Sequence, residues 1–352
     1  MKLGYLSTIF LLLMAALQAD EAPINFQECL EGVENVSTRL HPCSRDFEPF
    51  ADLIVWTARE SGTPDCWAEV FSVEKNTTSN EFRVINFNWD AGFRVGAGYG
   101  MDHDQWDTRA YYTRFHTRGK DEVTAGPGSV HSSFLGGFYV DNFNGKGITG
   151  PAYEQASIDW KIRFNMFDWD LGRSFWVSEE LALRPFLGLK GGWIHQLIRS
   201  KWQNPDLASF PGSTFYSVAT ENLKNNFWGI GPQVGLNTKW NLLSSCSQYF
   251  NLFGDFSTAV MFGHWIFGDI FNNDIGQQVK VIFNHLNSGA TMVRAFMGFG
   301  WEGSYCGLRF STKLGYETQF WLDQLQFYSF TGGRWSNLLT LQGGTLEFSV
   351  DF

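Results

Sequence analysis

The chain has 352 residues and an acidic balance, 36 Asp and Glu against 26 Lys and Arg, which argues against nucleic acid as a partner. Aromatic residues reach 17%, with 15 Trp and 34 Phe, while charged residues make up only 18%, against about 25% in an ordinary soluble domain. This is not the composition of an ordinary soluble enzyme, yet beyond residue 20 no apolar run approaches the roughly 18 residues of a membrane-crossing helix.

Lys2 followed by the apolar stretch Tyr5 to Met14 and by Ala15-Ala16-Leu17-Gln18-Ala19 reads as a signal peptide over 1–19, too short to span a bilayer itself. Residues 20–48 read as an irregular periplasmic segment and 49–352 as one domain. An exported chain can oxidise its five cysteines, and an odd count leaves at least one outside any intramolecular bridge. Cys29, Cys43, Cys246 and Cys306 are the candidates for disulfides, within the chain or to neighbouring molecules, with plain thiols as the simpler alternative. Cys66 falls in a long external loop. No Cys-x-x-Cys or His-Cys cluster points to a metal, and nothing points to a cofactor.

Period-two alternation then dominates, as in strands that show one face to lipid and the other to a lumen. Residues 50–59 are apolar on both faces and give a strand without a facing. In 93–101 the outward set is Phe93, Val95, Ala97, Tyr99 and Met101, with Arg94 and glycines inward; 105–116 alternate Trp106, Thr108, Ala110 and Tyr112 with Asp107, Arg109 and Tyr111. In 158–166, Ile158, Trp160, Ile162, Phe164 and Met166 read as outward against Asp159, Lys161, Arg163 and Asn165. In 181–193 the leucines and Trp193 oppose Arg184, Phe186 and Lys190. In 228–240, Trp228, Ile230, Pro232, Val234, Leu236 and Trp240 oppose glycines, Gln233, Asn237 and Lys239, with a bulge expected at Pro232. The pattern returns in 250–262 with Asp255 inward, in 293–301 with Arg294, and in 308–320 with Arg309, Lys313 and Glu317. The last strand has Leu346, Phe348, Val350 and Phe352 outward.

Short connections near 102–104, 168–180, 242–248 and 302–306 alternate with long polar ones at 60–87, 118–151, 198–223, 264–288 and 321–340. That is the periplasmic-turn and external-loop asymmetry of bacterial barrels. The reading is an all-β transmembrane antiparallel β-barrel of about ten strands (10–14), further pairing within the long loops accounting for the range. Its partners would be outer-membrane lipid, small solutes, further copies of itself, and the barrel-assembly machinery through the C-terminal Phe352.

Three segments carry a family likeness: Phe93-Arg94-Val95-Gly96-Ala97-Gly98-Tyr99, the run Leu183 to Ile194, and Gly229-Ile230-Gly231-Pro232-Gln233-Val234-Gly235-Leu236. They resemble the Legionella-type major outer-membrane proteins, a family with porin-like relatives in environmental Chlamydiae; Leu171-Gly172-Arg173 before Phe175-Trp176 looks like another shared piece. The resemblance covers about 48–352 without the long loops. It implies a pore-forming barrel of the bacterial outer membrane and carries no catalytic residues.

The expected pore lining is Arg94, Arg109, Asp159, Lys161, Arg163, Arg184, Lys190, Lys239, Asp255, Arg294, Arg309, Lys313 and Glu317. Bases outnumber acids on this count, so a pore would favour anions mildly. The rival is that these charges pair across a narrow barrel and plug it, leaving a surface adhesin or structural barrel, since small barrels are filled by side chains. Ten-strand barrels also include omptin-like proteases, which need a carboxylate–His pair aimed inward over the mouth. His195 and His264 fall on the lipid-facing parity instead, and the chain is read as not an enzyme.

Overall fold

A computed structural model of the chain describes residues 47–62, 66–74, 77–101, 104–132, 152–206, 215–245, 248–305, 308–329 and 333–352. Cys29, Cys43, Cys246 and Cys306 lie outside these residues. The fold is all β. Its strands are β1 (Phe47–Gly62), β2 (Ala68–Glu74), β3 (Thr77–Arg83), β4 (Asp90–Gly100), β5 (Trp106–Thr124), β6 (Val130–Ser132) and β7 (Gln155–Arg173). They continue as β8 (Phe175–Trp176), β9 (Leu181–Gln203), β10 (Val218–Ser245), β11 (Gln248–Asn273), β12 (Gln278–Tyr305), β13 (Leu308–Ser329) and β14 (Gly333–Asp351).

Ten of them close into an antiparallel ring in the order β1-β4-β5-β7-β9-β10-β11-β12-β13-β14, and β14 returns to β1 from Phe50↔Ser349 to Gly62↔Asn337. Closure gives every ring strand a partner on both sides, the condition for crossing a bilayer with strands. The stub β8 pairs with the start of β9. β3, β2 and β6 make a separate three-stranded sheet, which packs on the upper ends of the ring strands. Trp67 packs at a tilt against Trp202 with ring centroids 5.8 Å apart, and both Trp67 Nε1 and Arg83 Nη2 donate to Asp121, at 2.9 and 2.7 Å.

Strand length is where the structure departs from expectation. β10 and β12 have 28 residues each, against the roughly 9–11 that a tilted span requires. The segments 264–288 and 321–340, expected as long loops, are largely continued hairpins: β11 and β12 are joined by residues 274–277 alone, β13 and β14 by 330–332. Much of 198–223 likewise belongs to β9 and β10. The alternation persists above the bilayer but changes sense, because there the outer face meets water and the inner face becomes a core. Trp265 and Phe267 on β11 are 0% and 2% exposed for that reason.

Pro232 makes no bulge. Its pairing with Leu189 of β9 is kept, and the register towards β11 is the same on either side of it, Ile230↔Phe262 and Gln233↔Ala259. The ladder simply lacks bridges at 231 and 232. The register shift on β10 falls further down, between Asn241 and Leu243.

Candidate functional site: the barrel interior

The interior has two layers with opposite chemistry. At the level of the apolar outer belt it is ionic. Arg94 of β4 donates to Asp52 of β1 at 2.6 Å and to Glu317 of β13 at 2.8 Å, and Arg294 of β12 donates to the same Glu317 at 2.6 Å. Thr113 and Thr345 complete the cluster, the first accepting from Arg94 at 3.0 Å and the second donating to Glu317 at 3.1 Å. Two guanidiniums thus share one carboxylate, and removing it would leave like charges facing each other in a dry site. Beside this cluster Lys190 holds Asp168 at 2.5 Å, and Arg184 holds Asp170 at 2.5 Å and Asp107 at 2.7 Å.

Towards the periplasmic end the pairs become more open. Lys313 meets Glu347 at 2.9 Å, Lys239 meets Glu302 at 2.5 Å, Arg309 meets Asp351 at 2.6 Å, and Arg109 lies 3.4 Å from Glu48. Asp255 is also inward and buried.

Above the ionic layer the interior is apolar. Phe164 of β7 meets Trp321 of β13 with ring centroids 5.4 Å apart. In the ring order these strands stand five places apart, on opposite sides of a ten-strand cylinder, so the contact crosses the axis. Both rings are essentially unexposed, as are Trp56, Phe115, Ile194, Phe227 and Met292 around them. Lys190 marks the junction of the two layers, its ammonium 5.9 Å from the Trp321 ring.

Three acids are set into this upper core. Glu60 accepts from Gln196 across the barrel at 2.7 Å, while Trp160 Nε1 donates to the other side of the same amide at 3.0 Å. Burial pushes the Glu60 carboxyl up to about 8, with the Gln196 hydrogen bond opposing. Glu221 accepts from Ser200 at 2.8 Å and interacts with Asp269; burial raises both, Asp269 to about 7.

Of the expected lining residues, Arg94, Arg109, Arg184, Lys190, Lys239, Asp255, Arg294, Arg309, Lys313 and Glu317 point inward. Asp159, Lys161 and Arg163 do not. On β7 the even residues Ile158 to Met166 are buried inside, and the odd, polar ones face outward. In sequence the apolar parity reads as lipid-facing, but this half of β7 stands above the bilayer, where apolar means core. Glu48, Asp52, Asp168 and Asp170 join the lining, although the sequence pattern does not single them out. Asp168 and Asp170 alternate with outward Phe167 and Trp169, the one legible signal among them; Asp52 is hidden in a strand apolar on both faces.

With these changes the inward acids outnumber the inward bases, and the ground for an anion preference is gone. The inward glycines do not leave open space either. A Cβ on Gly235 would stand 2.3 Å from the Phe186 ring, and one on Gly172 2.4 Å from the Arg184 guanidinium. Those side chains already fill the gaps. His116, His195 and His264 all lie on the outward parity, and Cys66, expected on an external loop, is 5% exposed.

Residues 58–352 match the family described as Legionella pneumophila major outer membrane protein precursor. No curated protein sequence matches the chain. Among solved structures it is similar to the outer membrane protease OmpT from Escherichia coli, at 13% identity over 87% of this chain and 97% of that one, with a TM-score of 0.42. A major outer membrane protein from Thermus thermophilus is similar at 8% identity over 88% and 100% of the two chains, with a TM-score of 0.32. A Pseudomonas aeruginosa FadL homologue is similar at 10% identity over 88% and 90%, with a TM-score of 0.31. The family match covers most of the closed ten-strand ring, and the chain, a β-barrel of the bacterial outer membrane, belongs to the Legionella major outer membrane protein family.

Proposed function

We propose that this protein is a small-solute channel of the outer membrane, not an enzyme, and that the form described is its closed one. The observation that carries this is the ionic interior at membrane level. Ionised groups in that position are costly, and a filled core of apolar side chains would stabilise a purely structural barrel as well or better. Charges there therefore mark a path for solutes or ions, and an apolar constriction above them acts as its gate. Because the inward acids outnumber the bases, an open form would favour cations at low salt. Assembly would use the outward C-terminal face of Phe348 and Phe352.

The second reading, a plugged surface barrel with adhesive or structural duty, is favoured by the Phe164–Trp321 contact across the axis. Planar-bilayer recording separates the two. The refolded parent protein should open rarely, and Phe164→Ala with Trp321→Ala should raise open time at least tenfold. A double variant that keeps heat-modifiable gel migration yet stays as silent as the parent establishes the plugged barrel instead.

A further inference from the structure

The exterior of β5, β7, β9 and β10 carries a second feature that the solute reading does not use. The pairing registers lay these four strands out as a grid. From the bottom, its outward rows run Thr108-Leu171-Leu187-Val234, then Ala110-Trp169-Leu189-Pro232, then Tyr112-Phe167-Gly191-Ile230. The next row is Arg114-Asn165-Trp193-Trp228. Two tryptophans close an apolar belt, as at a membrane–water interface. The connections longer than about ten residues, from β1 to β4, β5 to β7 and β9 to β10, all lie on this side and none at the opposite rim, so this boundary is the outer one.

Immediately above it the face turns basic. The first row holds His116, Arg163, His195 and Asn226, and the second Arg118, Lys161, Leu197 and Lys224. The third holds Lys120, Asp159, Arg199 and Asn222, and the fourth Glu122, Ser157, Lys201 and Thr220. Seven cations thus face two acids on a chain whose total is strongly acidic. Asp159 is engaged with Arg118 and Glu122 with Gln155. An open concavity of about 740 Å³ indents the upper part of the face, where Lys120, Arg199 and Lys201 meet the acids Asp121, Glu122, Asp159 and Glu221.

Outward rows are two residues apart, about 7 Å, and strands about 4.8 Å apart. Each cation therefore has its nearest cationic neighbours within about a Debye length, where like charges destabilise. Burial, then Arg163 and Arg114, hold the His116 imidazole below its usual value, which reports the same field. On the neighbouring strands the corresponding outward positions are Ile266, Gly268 and Ile270 of β11 and Ile282 of β12, with Lys280 as the charged residue beside Ile270. The positive field is confined to one flank.

We propose that this flank binds the phosphate-bearing headgroup of an outer-leaflet glycolipid, whose acyl chains lie along the apolar belt directly beneath on the same strands. Phosphates relieve the repulsion between cations that have too few acids of their own. The continuity from Val234 through Trp228 to Lys224 and Lys201 supplies a lipid's two chemistries in the right vertical order. A soluble polyanion needs no such belt.

The test is native mass spectrometry and fluorescence titration of the detergent-solubilised full barrel with diphosphorylated lipid A. The same lipid with its phosphates removed, inorganic phosphate and a heparin oligosaccharide serve as separate probes. We expect lipid A to bind at least tenfold more tightly than its dephosphorylated form. Lys161→Gln, Arg199→Gln and Lys201→Gln together should abolish that difference, and Lys280→Gln should leave it intact. Equal binding of the two lipids by the parent protein overturns the proposal without any variant. Competition by inorganic phosphate below millimolar concentration reassigns the site to free phosphate, and tighter binding of heparin than of lipid A reassigns it to a soluble glycan. A folded triple variant that still prefers lipid A also refutes it.

Discussion

The two layers of the barrel interior are built on the same strands and obey opposite rules. At membrane level the outside is apolar and the inside is a network of ion pairs around Glu317. Above the membrane the outside is polar and the inside is an aromatic core centred on Phe164 and Trp321. Burial alone therefore says nothing about chemistry here; the medium outside each strand decides which face has to be apolar. The difference also separates two kinds of stability. The lower layer depends on every charge keeping its partner, whereas the upper layer depends on volume.

Four perturbations put that contrast to the test. The largest effect is expected from Glu317→Ala, which strands Arg94 and Arg294 together in a dry site. It should cost roughly 4–5 kcal/mol in detergent unfolding. Replacing Glu317, Arg94 and Arg294 together by apolar residues of similar volume should recover most of that loss. If the single variant unfolds like the parent, the ionic layer is not a network.

Next comes Trp321→Ala, which removes one of the two rings that meet on the axis. A cavity of that kind should cost about 3–4 kcal/mol, and no polar partner change should rescue it, while a ring-preserving Trp321→Phe should cost far less. Urea titration followed by loss of heat-modifiability measures both.

On the exterior, Val234→Arg pushes a cation into the hydrocarbon belt and should cost about 2–4 kcal/mol in vesicles. Ile266→Arg, outward on the row above Trp228, should cost under about 1 kcal/mol, as a substitution near or beyond the interface does. Equal costs at the two positions would place the bilayer boundary elsewhere.

The most gradual effect, spread over several pH units, is the pH response of the upper layer. Burial holds Glu60, Glu221 and Asp269 above their ordinary values. An acid whose folded value is raised contributes full stability below its unfolded value and loses it as pH rises through the folded one. For Glu60 the window runs from its ordinary 4.5 up to about 8. Across it each acid removes at most about 1.4 kcal/mol per pH unit. Thermal midpoints should fall as pH is raised from about 5 to about 8, and Glu60→Gln should flatten part of that slope. A midpoint that rises over the same range contradicts the burial of these acids.

Much of the architecture is legible in the sequence because alternation is a backbone property. The ten ring strands and the facing of Arg94, Arg184, Lys190, Arg294 and Glu317 follow from period two, whereas two of the five expected long connections, 264–288 and 321–340, prove to be continued strands. What period two cannot give is the sense of the alternation. Ile158 to Met166 of β7 read as a lipid face because nothing in that stretch marks where the bilayer ends. The marks lie on neighbouring strands, at Trp193 and Trp228, and only the register transfers them to β7. Asp52 is invisible for a related reason: its strand has Leu53 and Val55 facing lipid and Ile54 and Trp56 facing the upper core, so both faces are apolar across the layer boundary.

The seam between β1 and β14 has a consequence in time. The first ring strand to leave the ribosome takes its second partner from the last, and the backbone of Phe352 donates to Phe47 at 3.4 Å across the finished joint. From the completion of β4 until the arrival of β14, one edge of β1 has no partner within the chain, and an open edge invites pairing with any other strand. The cylinder cannot be sealed cotranslationally in vectorial order. A chain that paired β1 with β4 early would carry that open edge until β14 arrived, and the same joint is where a circular permutant could be spliced and reopened elsewhere without altering the finished cylinder.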